Sequence, residues 1–142
     1  MTKQDMRYFN IAKAVSKSSE NKRIKIGAVL IRNKDILAAS ANLTKSHPIQ
    51  YSLNPLRFDD YHTPKDLDTC RHNLHAEMEC IIKSKEFDLT GAHIYVYREG
   101  HAGNLLMCRP CNACLKMIKE VGIKEIYYTT PDGYAHEIIK KK

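Results

Sequence analysis

Pro110-Cys111-Asn112-Ala113-Cys114 opens the stretch that decides the fold; it runs on as Leu115-Lys116-Met117-Ile118-Lys119-Glu120-Val121-Gly122, then Ile123-Lys124-Glu125-Ile126-Tyr127-Tyr128-Thr129. Proline suits the first turn of a helix, where its missing N–H is no loss, and glycine suits the position just past the end. Residues 110–121 therefore read as a helix, and 123–129, rich in β-branched and aromatic side chains, as a strand. Cys111 and Cys114 are three apart, so both thiols fall on one face at the helix start.

Upstream of this helix, Gly91 leads into Ala92-His93-Ile94-Tyr95-Val96-Tyr97, an alternating strand, and 98–109 form a loop with Gly100 and Gly103. Residues 75–85 turn helical, with Met78, Ile81 and Ile82 on one face. Residues 4–18 place Met6, Phe9, Ile11, Ala12 and Val15 at helical spacing. The apolar runs 26–31 and 36–41 flank the turn signal Asn33-Lys34-Asp35 and read as a hairpin. Residues 43–74 carry Pro48, Pro55 and Pro64, which oppose a long regular element. A connection of that length inside a domain is usually functional or mobile, and it reads as a loop insert. After residue 129, Pro131-Asp132-Gly133 favours a turn into a last strand at 134–139. A parallel return would need a crossover of about a dozen residues. The order α-β-β-α-β-α-β-β predicts an α/β fold, three-layered α/β/α around a central mixed sheet, as a single domain over 1–142.

Composition narrows the classes. With 43% hydrophobic and 27% charged residues the chain is ordinary globular material, and no run approaches the roughly 20 apolar residues of a membrane span. The N-terminal Met1-Thr2-Lys3-Gln4-Asp5 lacks the apolar run of a secretory signal, so the expected address is the cytoplasm. Five cysteines, three of them as Cys108-x-x-Cys111-x-x-Cys114, fit metal ligation better than a dispersed disulfide framework. The net charge of +7 is a mild pointer to an anionic substrate.

Two short signals carry chemistry: His75-Ala76-Glu77 at one helix start and Cys111-x-x-Cys114 at another. Alone, a His-x-Glu triplet reads as a surface polar pair, and a lone Cys-x-x-Cys as a redox pair or half a zinc ribbon. Together they say more. A helix N-terminus favours thiolate, and His75 adds a third ligand from a second helix start. Three protein ligands leave room for a water, the arrangement of catalytic rather than structural zinc. Glu77, two positions from His75, then suits a proton carrier that is not itself a ligand. A redox pair explains neither His75 nor Glu77, and a zinc ribbon needs a second thiol pair. Cys108 reads as a semi-buried free thiol outside the pair.

On these residues, across 26–129, the chain resembles the zinc-dependent cytidine/deoxycytidylate deaminase superfamily. The resemblance implies a cytidine deaminase-like fold, Zn2+ on His75, Cys111 and Cys114, and Glu77 moving a proton from water to the ring nitrogen while water adds to the amine-bearing carbon. It implies that Asn42, at the end of the second strand, contacts the substrate sugar, and that backbone groups at the metal helices, Ala76 among them, read the base. A strand-end turn residue is the plainer reading of Asn42. It further implies a homo-oligomer. Of Arg57, Arg71, Arg98 and Arg109, expected in loops that rim the site, Arg109 is the candidate for phosphate or base-edge contact, set against a plain surface role. The histidines and cysteine of the insert, His47, His62, Cys70 and His72, read as scattered rather than as a second metal site. The expected substrate is a cytosine nucleoside or nucleotide; the terminal hairpin leaves no crossover helix, which disfavours nucleic acid and also weakens the resemblance to typical dCMP deaminases, and another free base is a further alternative. A non-catalytic zinc-stabilised binding module is the rival from another class.

Overall fold

Thr2 and Asp5 start the first helix reciprocally: the Asp5 amide donates to Thr2 Oγ1 at 3.0 Å and the Thr2 amide to Asp5 Oδ2 at 3.1 Å. The computed structural model describes residues 1–19, 24–42, 75–86 and 88–139. Helix α1 (Lys3–Ser16) ends two residues short of expectation and buries Tyr8, Phe9, Ala12 and Ser16. Ile11 and Val15, expected on the inner face, are only partly covered.

Strands β1 (Ile26–Arg32) and β2 (Asp35–Ala41) form the expected hairpin. Its two-residue turn puts Asn33 at φ 52° and Lys34 at φ 68°, the mirror-image turn that matches strand twist. Leu30 pairs with Ala38 but Ile31 pairs with Ile36, so Leu37 is bulged out. Helix α2 (Ala76–Ser84) follows the insert, whose residues 43–74 lie outside the described residues, with His47, His62, Cys70, His72 and the loop arginines Arg57 and Arg71. Next come β3 (His93–Arg98), α3 (Asn112–Glu120), β4 (Glu125–Thr130) and β5 (Gly133–Ile138). Helix α3 ends as its sequence predicts. Gly122, at φ 92°, donates to Lys119 O and Ile123 to Ile118 O, both at 3.1 Å.

The strand order is β2-β1-β3-β4-β5. Only the β3–β4 pair, joined through α3, is parallel; β5 returns antiparallel to β4, as its turn residues predict. On one face α1 packs Phe9 and Ala12 against Val29, Ile31, Tyr95 and Tyr97. On the other, Ala76, Cys80 and Ile81 of α2 and Leu115 and Ile118 of α3 pack on Ala28, Leu30, Ile94, Val96 and Ile126. The fold is thus three-layered α/β/α. α1 comes so close that a Cβ on Gly27 would stand 2.0 Å from Ala12 O. Among the described residues no helix is long and apolar enough to cross a membrane.

Candidate metal centre

The helices α2 and α3 begin with the wrong residues for ordinary caps. Ser, Thr, Asp or Asn at the N-cap normally accepts a hydrogen bond from a first-turn amide. Here the N-caps are His75 (φ −72°, ψ 149°) and Cys111 (φ −70°, ψ 169°), and neither side chain caps its own helix. Their extended backbones turn both side chains outward to a common point instead. Cys114 is the third residue of α3, so it faces Cys111 with the spacing that lets N-cap and N3 groups meet. Helix α3 accordingly starts at Asn112, with Pro110 outside it, not at Pro110 as expected.

His75 Nδ1 lies 3.3 Å from Cys114 Sγ and 3.6 Å from Cys111 Sγ. All three ligand atoms fall within 4.8 Å of one another. A tetrahedral ion with nitrogen at about 2.0 Å and sulfur at about 2.3 Å sets an N···S edge of about 3.5 Å, and the two observed separations bracket it. The donor set and its two N···S separations therefore fit zinc. Two helix N-termini add positive potential where two thiolates would sit.

Glu77, in the first turn of α2, is 5% exposed. Burial pushes its carboxyl above the usual range; the His75 imidazole opposes that shift and the Cys111 thiolate adds to it. The carboxyl thus stands within electrostatic reach of the His-Cys-Cys group without belonging to it.

A family model for the cytidine and deoxycytidylate deaminase zinc-binding region matches residues 2–130. The chain belongs to that family. The match starts at Thr2 and so takes in α1. ComE operon protein 2 of Bacillus subtilis (strain 168) is 29% identical over 124 residues, 84% of this chain. The aligned part is 57% of that relative, so the chain spans little more than half its length. The deoxycytidylate deaminase of Mycobacterium phage D29 is 28% identical over 131 residues, 87% of this chain and 92% of the relative. Among solved structures, the dCMP deaminase of cyanophage S-TIM5 in complex with dCMP and dUMP superposes with a TM-score of 0.62 at 26% identity, over 92% of this chain and 84% of that one. The cytidine deaminase of Burkholderia pseudomallei superposes with a TM-score of 0.62 at 18% identity, over 97% and 93%, and supports the fold alone.

The remaining candidates of this deaminase-family chain fall elsewhere. Ala76 is fully buried in the first turn of α2, where amides have no acceptor within the helix. Asn42, just past β2, is buried and bonded within the chain: Oδ1 accepts from Ser19 Oγ at 2.6 Å and from the Ile26 amide at 3.0 Å, and Nδ2 donates to Ile24 O at 2.9 Å. It ties the end of β2 to the start of β1. Arg109 directs its fork at β5, with Nε donating to Glu137 Oε2 at 2.9 Å and Nη2 to Oε1 at 2.8 Å. Cys108 is fully rather than partly buried, its thiol pushed up to about 12 by burial, and it lies outside the His-Cys-Cys group. Sequence reasoning missed Ser19, Thr129 and Glu137, each a polar partner supplied from a distant segment. None of the three left a signal in the sequence, since each lies far along the chain from the residue it holds.

Proposed function

We propose that this chain is a zinc-dependent hydrolase that deaminates a cytosine nucleoside or its monophosphate to the uracil product and ammonia, with dCMP the first candidate. The observation that carries this reading is the meeting of His75, Cys111 and Cys114 at two helix starts with buried Glu77 beside them. His75, Cys111 and Cys114 would hold a zinc ion, which would supply Lewis acidity that makes water a stronger acid at neutral pH. Glu77 would take one proton from the attacking water and pass it to the ring nitrogen, then take the second proton from the hydroxyl so formed on the ring carbon and pass it to the departing amine, which leaves as ammonia. A carboxyl raised by burial gives up a proton less readily than an exposed one, which suits a group that must hold it between the two steps. Ala76, Glu77 and Met78 are buried at the start of α2, a wall that would keep bulk water from one side of the ring, and the Ala76 amide is the candidate donor to the base.

The phosphate is favoured by likeness to the phage deoxycytidylate deaminase and to the cyanophage enzyme bound to dCMP and dUMP, a substrate–product pair for deamination. Asn42 remains the candidate for the sugar, through the second hydrogen of Nδ2. Arg109 commits Nε and Nη2 to Glu137 in a fork that fixes its direction, and it is given another role below. Self-association belongs to this reading and is tested by light scattering on the zinc-loaded protein. The activity is tested by ammonia release from dCMP, deoxycytidine, CMP, cytidine and a short single-stranded DNA. Turnover of dCMP over deoxycytidine supports the nucleotide reading; turnover confined to the DNA overturns the free-substrate reading.

A further inference from the structure

We infer that Glu137 and Thr129, on the β4–β5 hairpin, are positioning residues for the metal ligand Cys111, acting through the two loop residues Arg109 and Cys108. The inference rests on the metal reading above and extends it to side chains that touch neither ion nor substrate.

The loop from Glu99 to Cys111 is long and must deliver one sulfur accurately. Its last residues are fastened one after another. At Cys108, the backbone amide donates to Thr129 O at 3.1 Å, the thiol donates to Val96 O at 3.2 Å, and the Thr129 amide donates to the sulfur at 3.3 Å. Thr129 is 0% exposed, and its hydroxyl also donates to Leu106 O at 2.7 Å and accepts from the Arg98 amide at 3.2 Å. At Arg109 the guanidinium grips both oxygens of Glu137, whose Oε2 also accepts from Tyr128 Oη at 3.1 Å. The arginine holds the Glu137 carboxyl below its usual range, so the pair stays ionised at neutral pH. Pro110 then fixes φ, and Cys111 is next. Two residues span at most about 7 Å of extended chain, so a shift at Arg109 has little slack in which to fade before the ligand.

This assigns the leftover member of Cys108-x-x-Cys111-x-x-Cys114. Cys108 is an anchor, with a protonated, hydrogen-bonded thiol, and the cysteine three residues on is the ligand. It also explains why an arginine precedes Pro110: a planar fork fixes direction as well as distance, which a lysine cannot do.

The test separates metal retention from overall stability. Side chains of Arg109 and Glu137 are 39% and 35% exposed, and such pairs contribute little to global stability. A merely structural pair should therefore leave zinc release unchanged. Zinc transfer from the loaded protein to excess chromophoric chelator is timed for wild type, Glu137→Gln, Arg109→Lys and the exchanged pair Arg109→Glu with Glu137→Arg. Lys116→Ala is the control, removing an exposed ion pair to Glu120 on α3 itself. Unfolding of each metal-free protein is followed in parallel. Release is expected to quicken about tenfold in both single variants, the scale of losses at groups that support ligands. The exchanged pair should recover most of this, and Lys116→Ala should match wild type. Thr129→Val should quicken release as well. Release within about twofold of wild type in a folded Glu137→Gln protein would overturn the inference. So would acceleration that the exchange does not rescue and that tracks a lowered unfolding midpoint. A wild-type protein that retains no zinc at all would instead sink the metal reading on which the inference stands.

Discussion

Glu77 and its neighbours make separate demands on measurement. As proton carrier, Glu77→Gln should lower kcat by roughly 10²–10⁴-fold while zinc content stays at the wild-type level. In the metal-free protein the same change has an opposite benefit. The folded-state pKa of Glu77 is raised above its unfolded value by burial, so its contribution to stability is present below the unfolded value and is lost as pH rises through the folded one. Metal-free Glu77→Gln should therefore be more stable than wild type at neutral pH, and the difference should vanish as pH falls below about 4.5. Urea unfolding at several pH values reads both limbs; a variant less stable at pH 7 would contradict the assignment. Residues at this scale were legible where the chemistry is local. His75, Glu77, Cys111 and Cys114 lie at helix starts whose spacing can be read directly, and the structure brings the three metal candidates together. Asn42 and Arg109 were not legible in the same way. Their partners, Ser19 and Glu137, lie 23 and 28 residues away and meet them only in the folded chain.

At the scale of elements, the contact of α1 with β1 depends on a glycine. A methyl group on Gly27 would collide with the Ala12 carbonyl at 2.0 Å, and backbone cannot rotate aside as a side chain can. Gly27→Ala should cost about 3 kcal/mol, the upper range for overpacking, read as a lower urea midpoint. The β1–β2 turn offers the reverse. Lys34 sits at φ 68°, a conformation that costs a side chain roughly 1–2 kcal/mol and glycine almost nothing. After the extra entropy a glycine loses on folding, Lys34→Gly should raise stability by about 0.5 kcal/mol, seen as a higher midpoint with an unchanged slope. The turn and the C-terminal end of α3 were readable because Asn33 and Gly122 have strong local preferences, whereas Pro110 stands just outside the helix, which starts at Asn112. The bulge at Leu37 and the exact face of α1 were not, because sheet twist and the closeness allowed by Gly27 decide them.

On the scale of the whole molecule, one ion would join α2 to α3, two helices that enter the same layer from chain segments 36 residues apart at their ligands. Binding to the folded state alone stabilises it by about 4 kcal/mol when free zinc stands a thousandfold above its dissociation constant. Chelation should then lower the thermal midpoint by about 10 °C, a shift that calorimetry with and without chelator would detect. The alternation of helices and strands was enough to predict three layers and a mixed sheet, since a five-strand sheet with helices between strands has few ways to cover both faces. What it could not supply was the substrate, which depends on side chains converging from separate loops. The most direct measurement is deamination of dCMP by zinc-loaded wild type and by Glu77→Gln with matched zinc content, followed as loss of cytosine absorbance and release of ammonia. The account predicts stoichiometric dUMP and ammonia from wild type and at least a hundredfold loss, on the order expected for a general acid–base, in the variant. Equal turnover by both proteins, or no turnover of dCMP or of any cytosine nucleoside by fully loaded wild type, would contradict it.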